Sequence, residues 1–201
     1  MGPRVNPLAG APDLPIQASC RKAAGMTSVL LVVDVQNGVV AGMPGRDELI
    51  ATIARLVDGA RAAGRPVVWV QHADEDLPHG SEAWRIVPEL QPRDGEPTVE
   101  KQHRSAFGDT GLGALLRGYG VERIVLVGAQ SAFCVDMAGK HALADGFDVT
   151  WVSDGHGNGD QETADGIVPD ETVRALLNRT WSSLRHPGRE AEVVSSDEVR
   201  W

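Results

Sequence analysis

The chain has 201 residues, 42% of them hydrophobic and 23% charged, which is enough for one sizeable core and short for two. Its formal net charge of −9 argues against nucleic acid and anionic membranes as partners, because both select basic surfaces. No apolar run approaches the roughly 18 residues that span a bilayer, and the two cysteines, Cys20 and Cys134, are too few for a disulfide framework and fit a reducing, cytoplasmic setting.

Residues 1–26 carry Pro3, Pro7, Pro12 and Pro15 and neither hydrophobic periodicity nor the apolar core of a secretory signal. They predict a flexible extension holding Cys20 as an exposed thiol, with the folded domain over 27–201. SVLLVVDV at 28–35 is a continuous apolar run, the pattern of a strand covered on both faces. From Arg46 to Ala63, Leu49, Ile50, Ile53, Leu56 and Val57 recur at helical spacing, closed by Gly64. RPVVWVQ is a second buried strand. The polar stretch from His72 to Glu96 is a long loop with a short helical piece around Trp84, and long loops in compact domains are often functional. PTVEK predicts a third strand, DTGLGALLRGYG a helix, ERIVLVGA a fourth strand, SAFCVDMAGKHALADG a helix, and FDVTWVS a fifth strand. A Gly-rich polar stretch follows from Asp154 to Asp165, then an amphipathic helix from Asp170 to Leu184 and a last strand at AEVVSS. This alternation predicts a three-layer α/β/α domain with a doubly wound, mostly parallel six-stranded sheet.

In such sheets the ligand crevice lies beyond the carboxyl ends of the strands. Three reactive side chains fall there: Asp34 after the first strand, Lys101 at the end of the third, and Cys134 at the start of the helix after the fourth. Each has a bland alternative. Cys134 reads equally as a small buried hydrophobe, Asp34 as a cap or loop residue, and Lys101 as a solvated surface lysine. Gathered on one rim they form a reactive set. A helix N-terminus and a nearby ammonium lower a thiol's pKa, so Cys134 is expected as a nucleophilic thiolate. Asp34 would accept and return its proton.

The segments LLVVDVQNG at 30–38, EKQHRSAFGDT at 100–110 and VLVGAQSAFCVDMAGKHALADGFDVTWVSD at 125–154 resemble the isochorismatase-like cysteine hydrolases. These include isochorismatases, nicotinamidases, and carbamoylsarcosine, ureidoacrylate, biuret and streptothricin hydrolases. The ordered combination of Asp, Lys-x-x-x-Ser-Ala-Phe and Gly-x-x-hydroxyl-x-x-Cys-Val carries the resemblance. It implies Asp34 as general base and acid, Lys101 as electrostatic partner and Cys134 as nucleophile. It also implies a cis peptide between Ala129 and Gln130 and an oxyanion hole from the Gln130 and Cys134 N–H groups. Ser131-Ala132 stands where the family often has Thr-Asp, and Asp154-Gly155 where Asp-Ala is usual, which leaves loop packing and pocket shape open.

Most relatives with this cysteine cleave C–N bonds, so the resemblance implies hydrolysis of a small amide, ureide or lactam, with vinyl-ether hydrolysis or a redox-responsive thiol protein as alternatives. Gln36, Asn37, Phe107, Gln130 and Phe133 are the expected pocket residues, with Trp84 from the long loop or a neighbouring subunit. His72, Asp74 and His79 are available to a metal, but their order departs from the nicotinamidase Asp-x-His pattern, so no metal is expected. No glycine-rich phosphate-binding turn follows the first strand, so no nucleotide cofactor is expected either. The resemblance implies a homo-oligomer, a dimer or tetramer.

Overall fold

A computed structural model describes residues 27–201; the expected extension over 1–26 and Cys20 lie outside the described residues. In chain order the elements are β1 (Ser28–Val33), α1 (Asn37–Val40), α2 (Arg46–Ala62), β2 (Val67–His72), β3 (Thr98–Lys101), α3 (Leu112–Gly118) and β4 (Arg123–Ala129). A π-helical turn (Ser131–Val135) then leads into α4 (Asp136–Ala144), β5 (Asp148–Gly157), the hairpin β6 (Gln161–Thr163) and β7 (Gly166–Val168), α5 (Asp170–Ser183) and β8 (Ala191–Val194). Among the described residues no helix is long and apolar enough to cross a membrane.

The main sheet has the order β3-β2-β1-β4-β5-β8, with every neighbouring pair parallel. This is the six-stranded doubly wound sheet that the alternation predicts. The chain winds outward from β1 through β2 to β3, then restarts at β4 on the other side of β1. The β1/β4 boundary is therefore the switch point where such folds leave a crevice.

Burial explains why the first strand reads as an unbroken apolar run. Val29, Leu31 and Val33 enter one core half with residues of α3, α4 and α5, while Leu30 and Val32 enter the other with Leu49, Ile50, Ile53, Leu56 and Val57 of α2. Each such side chain contributes roughly 1.5–3 kcal/mol when fully buried.

The ends of β1 and β4 come together through a glycine. Gly128 has φ 134°, and a Cβ there would lie 2.0 Å from the Val33 carbonyl oxygen. Only a residue without a side chain fits this approach, and it brings the turns carrying Asp34 and Gln130 side by side.

Three expectations are corrected, and one short element is added. The piece around Trp84 is a series of turns, joined to Gln36 by an antiparallel bridge at Ile86, with no helix. Asn37–Val40 forms a single helical turn, too short to show periodicity in the sequence. The helix expected over DTGLGALLRGYG occupies only Leu112–Gly118. The Gly-rich stretch after Asp154 prolongs β5 to Gly157 and then folds back as the β6–β7 hairpin. The prolongation needs small residues, since a Cβ on Gly155 would meet Val127 Cγ1 at 2.8 Å. Asp154 turns to the C-terminal turn, where Oδ1 accepts the Ser196 N–H and Oδ2 the Ser196 hydroxyl, both at 2.7 Å.

Candidate active site

Asp34 and Cys134 leave the two strands that flank the switch point, and Lys101 reaches them from β3. The Lys101 side chain is fully buried, and Nζ lies 2.6 Å from Asp34 Oδ2. Neither oxygen of Asp34 has an aligned hydrogen bond among the described residues, so the Lys101 contact is an ion pair by proximity. Nζ also stands 3.3 Å from Cys134 Sγ. Asp34 is 1% exposed and holds φ 51°, a left-handed turn that swings the chain out of β1. The three side chains, separated in the sequence by 67 and 33 positions, form one contact cluster.

Electrostatics corrects the expected thiolate. The Cys134 thiol is pushed up to about 12, first by burial and then by the Asp34 carboxylate, and Lys101 offsets only part of this. Burial likewise raises the Asp34 carboxyl, against the pull of the Lys101 ammonium. The sulfur therefore rests protonated beside an acceptor, and a thiolate must be made by proton transfer. A low-pKa peroxide-sensing thiol does not match this environment.

The Cys134 loop is held from beneath. The Ala129–Gln130 peptide is cis. Phe133 and Val135 N–H both donate to the Gln130 carbonyl, and Cys134 N–H lies between them in the first turn, where helical N–H groups lack intrahelical acceptors. Ser131 Oγ is 2.7 Å from His156 Nδ1, and Asn158 Oδ1 accepts the Ala132 N–H at 2.8 Å. Asp170 Oδ1 accepts the Asn158 N–H at 2.7 Å. His156 Nε2 and Trp151 Nε1 both approach Asn178 Oδ1, at 2.9 and 2.8 Å. Burial pushes His156 down to about 4, so the ring is neutral; its Nδ1 bonds the Ser131 hydroxyl, and its Nε2 lies 2.9 Å from both Trp151 Nε1 and Asn178 Oδ1.

His156, Asn158, Asp170 and Asn178 were not legible as site residues. The available signal was the polar GHGNGD after the fifth strand, where loops collect at the crevice. Ser131 keeps the hydroxyl of the family pattern and uses it here.

The Ser-Ala-Phe segment anchors the loop after Lys101. Ser105 Oγ lies 2.7 Å from His141 Nδ1 on α4, and Phe107 stacks on His141 at a centroid distance of 5.2 Å. Phe107 is thus a core residue rather than a pocket wall.

Gln36 is also corrected: it is 0% exposed, and its amide is spent on backbone groups of His72 and Trp84. Asn37 donates to the Glu82 carbonyl at 2.9 Å, tying α1 to the long loop. Trp84 packs against His79 with the rings tilted by 46° and their centroids 4.4 Å apart. Phe133, half-buried beside Cys134, carries the Arg104 guanidinium 4.5 Å above its ring. Two clefts of about 280 Å³ reach the edges of the cluster, one at Lys101 with His103 and Asp109, the other at Gln130 with Asn158, Asp160 and Gln161. Of the expected pocket residues, Gln130 lines the second cleft, and Gln36, Asn37, Trp84, Phe107 and Phe133 line neither.

Among the described residues no group of three or more His, Cys, Asp or Glu is arranged to hold a metal. His72 and Asp74 bond one another, and His79 Nδ1 bonds the Glu100 carboxylate.

Comparison with known proteins places this geometry in context. A family model described as the Isochorismatase domain matches residues 28–167. The streptothricin hydrolase of Streptomyces noursei is 34% identical over 177 residues, covering 85% of this chain and 60% of that protein. The chain thus spans about three fifths of that relative's length. A ureidoacrylate amidohydrolase of Serratia proteamaculans is 28% identical over 176 residues, covering 67% of this chain and 69% of the relative. The crystal structure of an isochorismatase from Pseudomonas putida KT2440 superposes with a TM-score of 0.78 at 26% identity, covering 87% of this chain and 90% of that one.

Proposed function

The chain belongs to the isochorismatase family of hydrolases, and on that premise we propose that it is a cysteine-dependent amidase cleaving a C–N bond of a small non-peptide amide, ureide or lactam. The observation that carries the reading is the placement of Lys101 Nζ 2.6 Å from Asp34 and 3.3 Å from Cys134 at the switch-point crevice. The names of the streptothricin hydrolase and ureidoacrylate amidohydrolase relatives support the bond type.

In this reading Asp34 takes the proton from Cys134 Sγ as sulfur adds to the substrate carbonyl carbon. The carbonyl π pair moves onto oxygen, which the Gln130 and Cys134 N–H groups receive. Collapse of the tetrahedral adduct breaks the C–N bond, and Asp34 gives its proton to the departing nitrogen. Asp34 then accepts a proton from water as its oxygen attacks the thioester, the S–C bond breaks, and Asp34 returns the proton to sulfur. Lys101 balances the charge that alternates between carboxylate and thiolate. The high resting pKa of Cys134 suits this scheme, since sulfur is uncovered only when its proton has somewhere to go.

A panel of nicotinamide, ureido acids, biuret, carbamoyl amino acids and lactams tests the reading. Ammonia release is followed for the first four, and mass change for lactam opening. Cys134→Ala is expected to abolish turnover of whichever compound the wild type hydrolyses while its circular dichroism is unchanged; near-wild-type turnover by that variant would refute it. A second reading, vinyl-ether cleavage, is favoured by the isochorismatase identity of the superposed Pseudomonas structure. Release of pyruvate from isochorismate, without hydrolysis of any amide, would select it.

A further inference from the structure

Lys101 stands on β3 and Asp34 follows β1, with β2 between them. At a strand spacing of about 4.8 Å, the lysine side chain must pass the end of β2 to reach the carboxylate. There it meets His72, its register partner across the β2–β3 ladder, with Nζ 3.3 Å from Nδ1. An ammonium has three N–H donors and no lone pair. Lys101 faces three electron-rich atoms: Asp34 Oδ2, its ion-pair partner at 2.6 Å, and Cys134 Sγ and His72 Nδ1, each at the hydrogen-bonding distance of 3.3 Å. Nδ1 must then offer its lone pair, and the single proton of a neutral ring sits on Nε2. That nitrogen faces Asp74 Oδ2 at 2.8 Å.

Both ends of this chain are fixed. Asp74 Oδ1 accepts the N–H groups of Asp76 and Leu77 at 3.0 and 2.8 Å, which sets the carboxylate's direction. Gln36 clamps the His72 backbone, accepting its N–H at 2.8 Å and donating to its carbonyl at 3.0 Å. A doubly protonated ring, or one protonated on Nδ1, would turn an N–H toward the Lys101 ammonium and lose the contact.

We propose that His72 is a positioning residue: held by Asp74 as the Nε2–H tautomer, it takes an N–H of Lys101 and fixes the ammonium between Asp34 and Cys134. The proposal rests on the part given to Lys101 above. One ring nitrogen's bond dictates the other's role. The Lys101 side chain is fully buried, so without His72 the ammonium would lose a fixed acceptor and reorient away from the sulfur.

The test combines a tautomer measurement with three variants of the full chain. Long-range ¹H–¹⁵N correlation spectra of the wild type are expected to show a neutral His72 ring protonated on Nε2. In Asp74→Asn the retained side-chain oxygen keeps the turn bonds, so the amide N–H₂ faces Nε2 and the ring proton is expected on Nδ1. On any amide the wild type hydrolyses, Asp74→Asn and His72→Leu are expected to lower kcat roughly tenfold or more, with KM within about twofold. His72→Asn, which sets an oxygen near the former Nδ1 position, is expected to recover most of that loss. Protonation of the wild-type ring on Nδ1 would overturn the proposal. So would near-wild-type kcat in His72→Leu, or a folded His72→Asn no better than His72→Leu. If no amide is hydrolysed even by the wild type, the amidase reading fails on that result and the ring tautomer still decides this one.

Discussion

Cys134 illustrates how one residue's identity and its chemical state are set by different things. The sequence offers a thiol at a helix start after a strand, and a helix N-terminus alone would draw its pKa downward. The folded environment reverses the sign, because burial and the Asp34 charge together outweigh the Lys101 ammonium. A thiol titrating near 12 holds a small and growing thiolate fraction at every lower pH. Iodoacetamide labelling, localised to Cys134 by peptide mass spectrometry, is therefore expected to accelerate about tenfold per pH unit between about pH 7 and 10, without levelling. A plateau beginning near neutrality would mean a stabilised resting thiolate and would contradict the environment described here. The other misread residues failed for a related reason. Gln36 and Phe107 lie near the reactive side chains in sequence, but whether an amide faces a ligand or its own backbone depends on what the fold brings beside it.

At the scale of elements, the cluster depends on how closely β1 and β4 approach and on the platform beneath the π-helical turn. π-helical turns recur at functional sites, and this one is tied through Ser131 and Ala132 to His156 and Asn158 on and just beyond β5. Gly128 is the most exposing position to test. Gly128→Ala sets a methyl group against the Val33 carbonyl at a backbone angle alanine rarely adopts, so the strands must part. Urea unfolding is expected to show a loss of more than about 3 kcal/mol, accompanied by loss of turnover because Asp34 and Gln130 follow these two strand ends. A variant as stable as the wild type would show that the strand approach is adjustable. The sequence marked Gly128 as part of an apolar strand and as the first residue of the Gly-x-x-hydroxyl-x-x-Cys-Val pattern, but the partner that excludes a side chain comes from a segment almost a hundred residues earlier.

For the whole molecule, a perturbed group in the site is also a property of the folded state. The ordinary thiol value is 9.0 and the native value is about 12. Between these, the native protein keeps a proton that the unfolded chain gives up, so stability falls as pH rises through this window. From about pH 8 to about pH 10.5 the Cys134 contribution to that fall is ~2 kcal/mol. Urea unfolding of the wild type and of Cys134→Ala at both pH values checks this: the wild type is expected to lose more, and equal slopes would show that the thiol does not carry the difference.

Hydrophobic runs and helical spacing determined the alternation of strands and helices, and with it the doubly wound parallel sheet, because burial on one or both faces imposes those patterns locally. The order of Asp34, Lys101 and Cys134 beyond three strand ends was equally legible, since the crevice of such a sheet lies at those ends. Tertiary structure alone decided which groups meet there. It carried Lys101 across β2 onto His72, turned Gln36 inward, lengthened β5 so that His156 and Asn158 support the cysteine loop, and fixed the proton on sulfur. Each of these depends on contacts between segments far apart in the chain, where distance, exclusion of water and neighbouring charge replace local propensity as the governing terms.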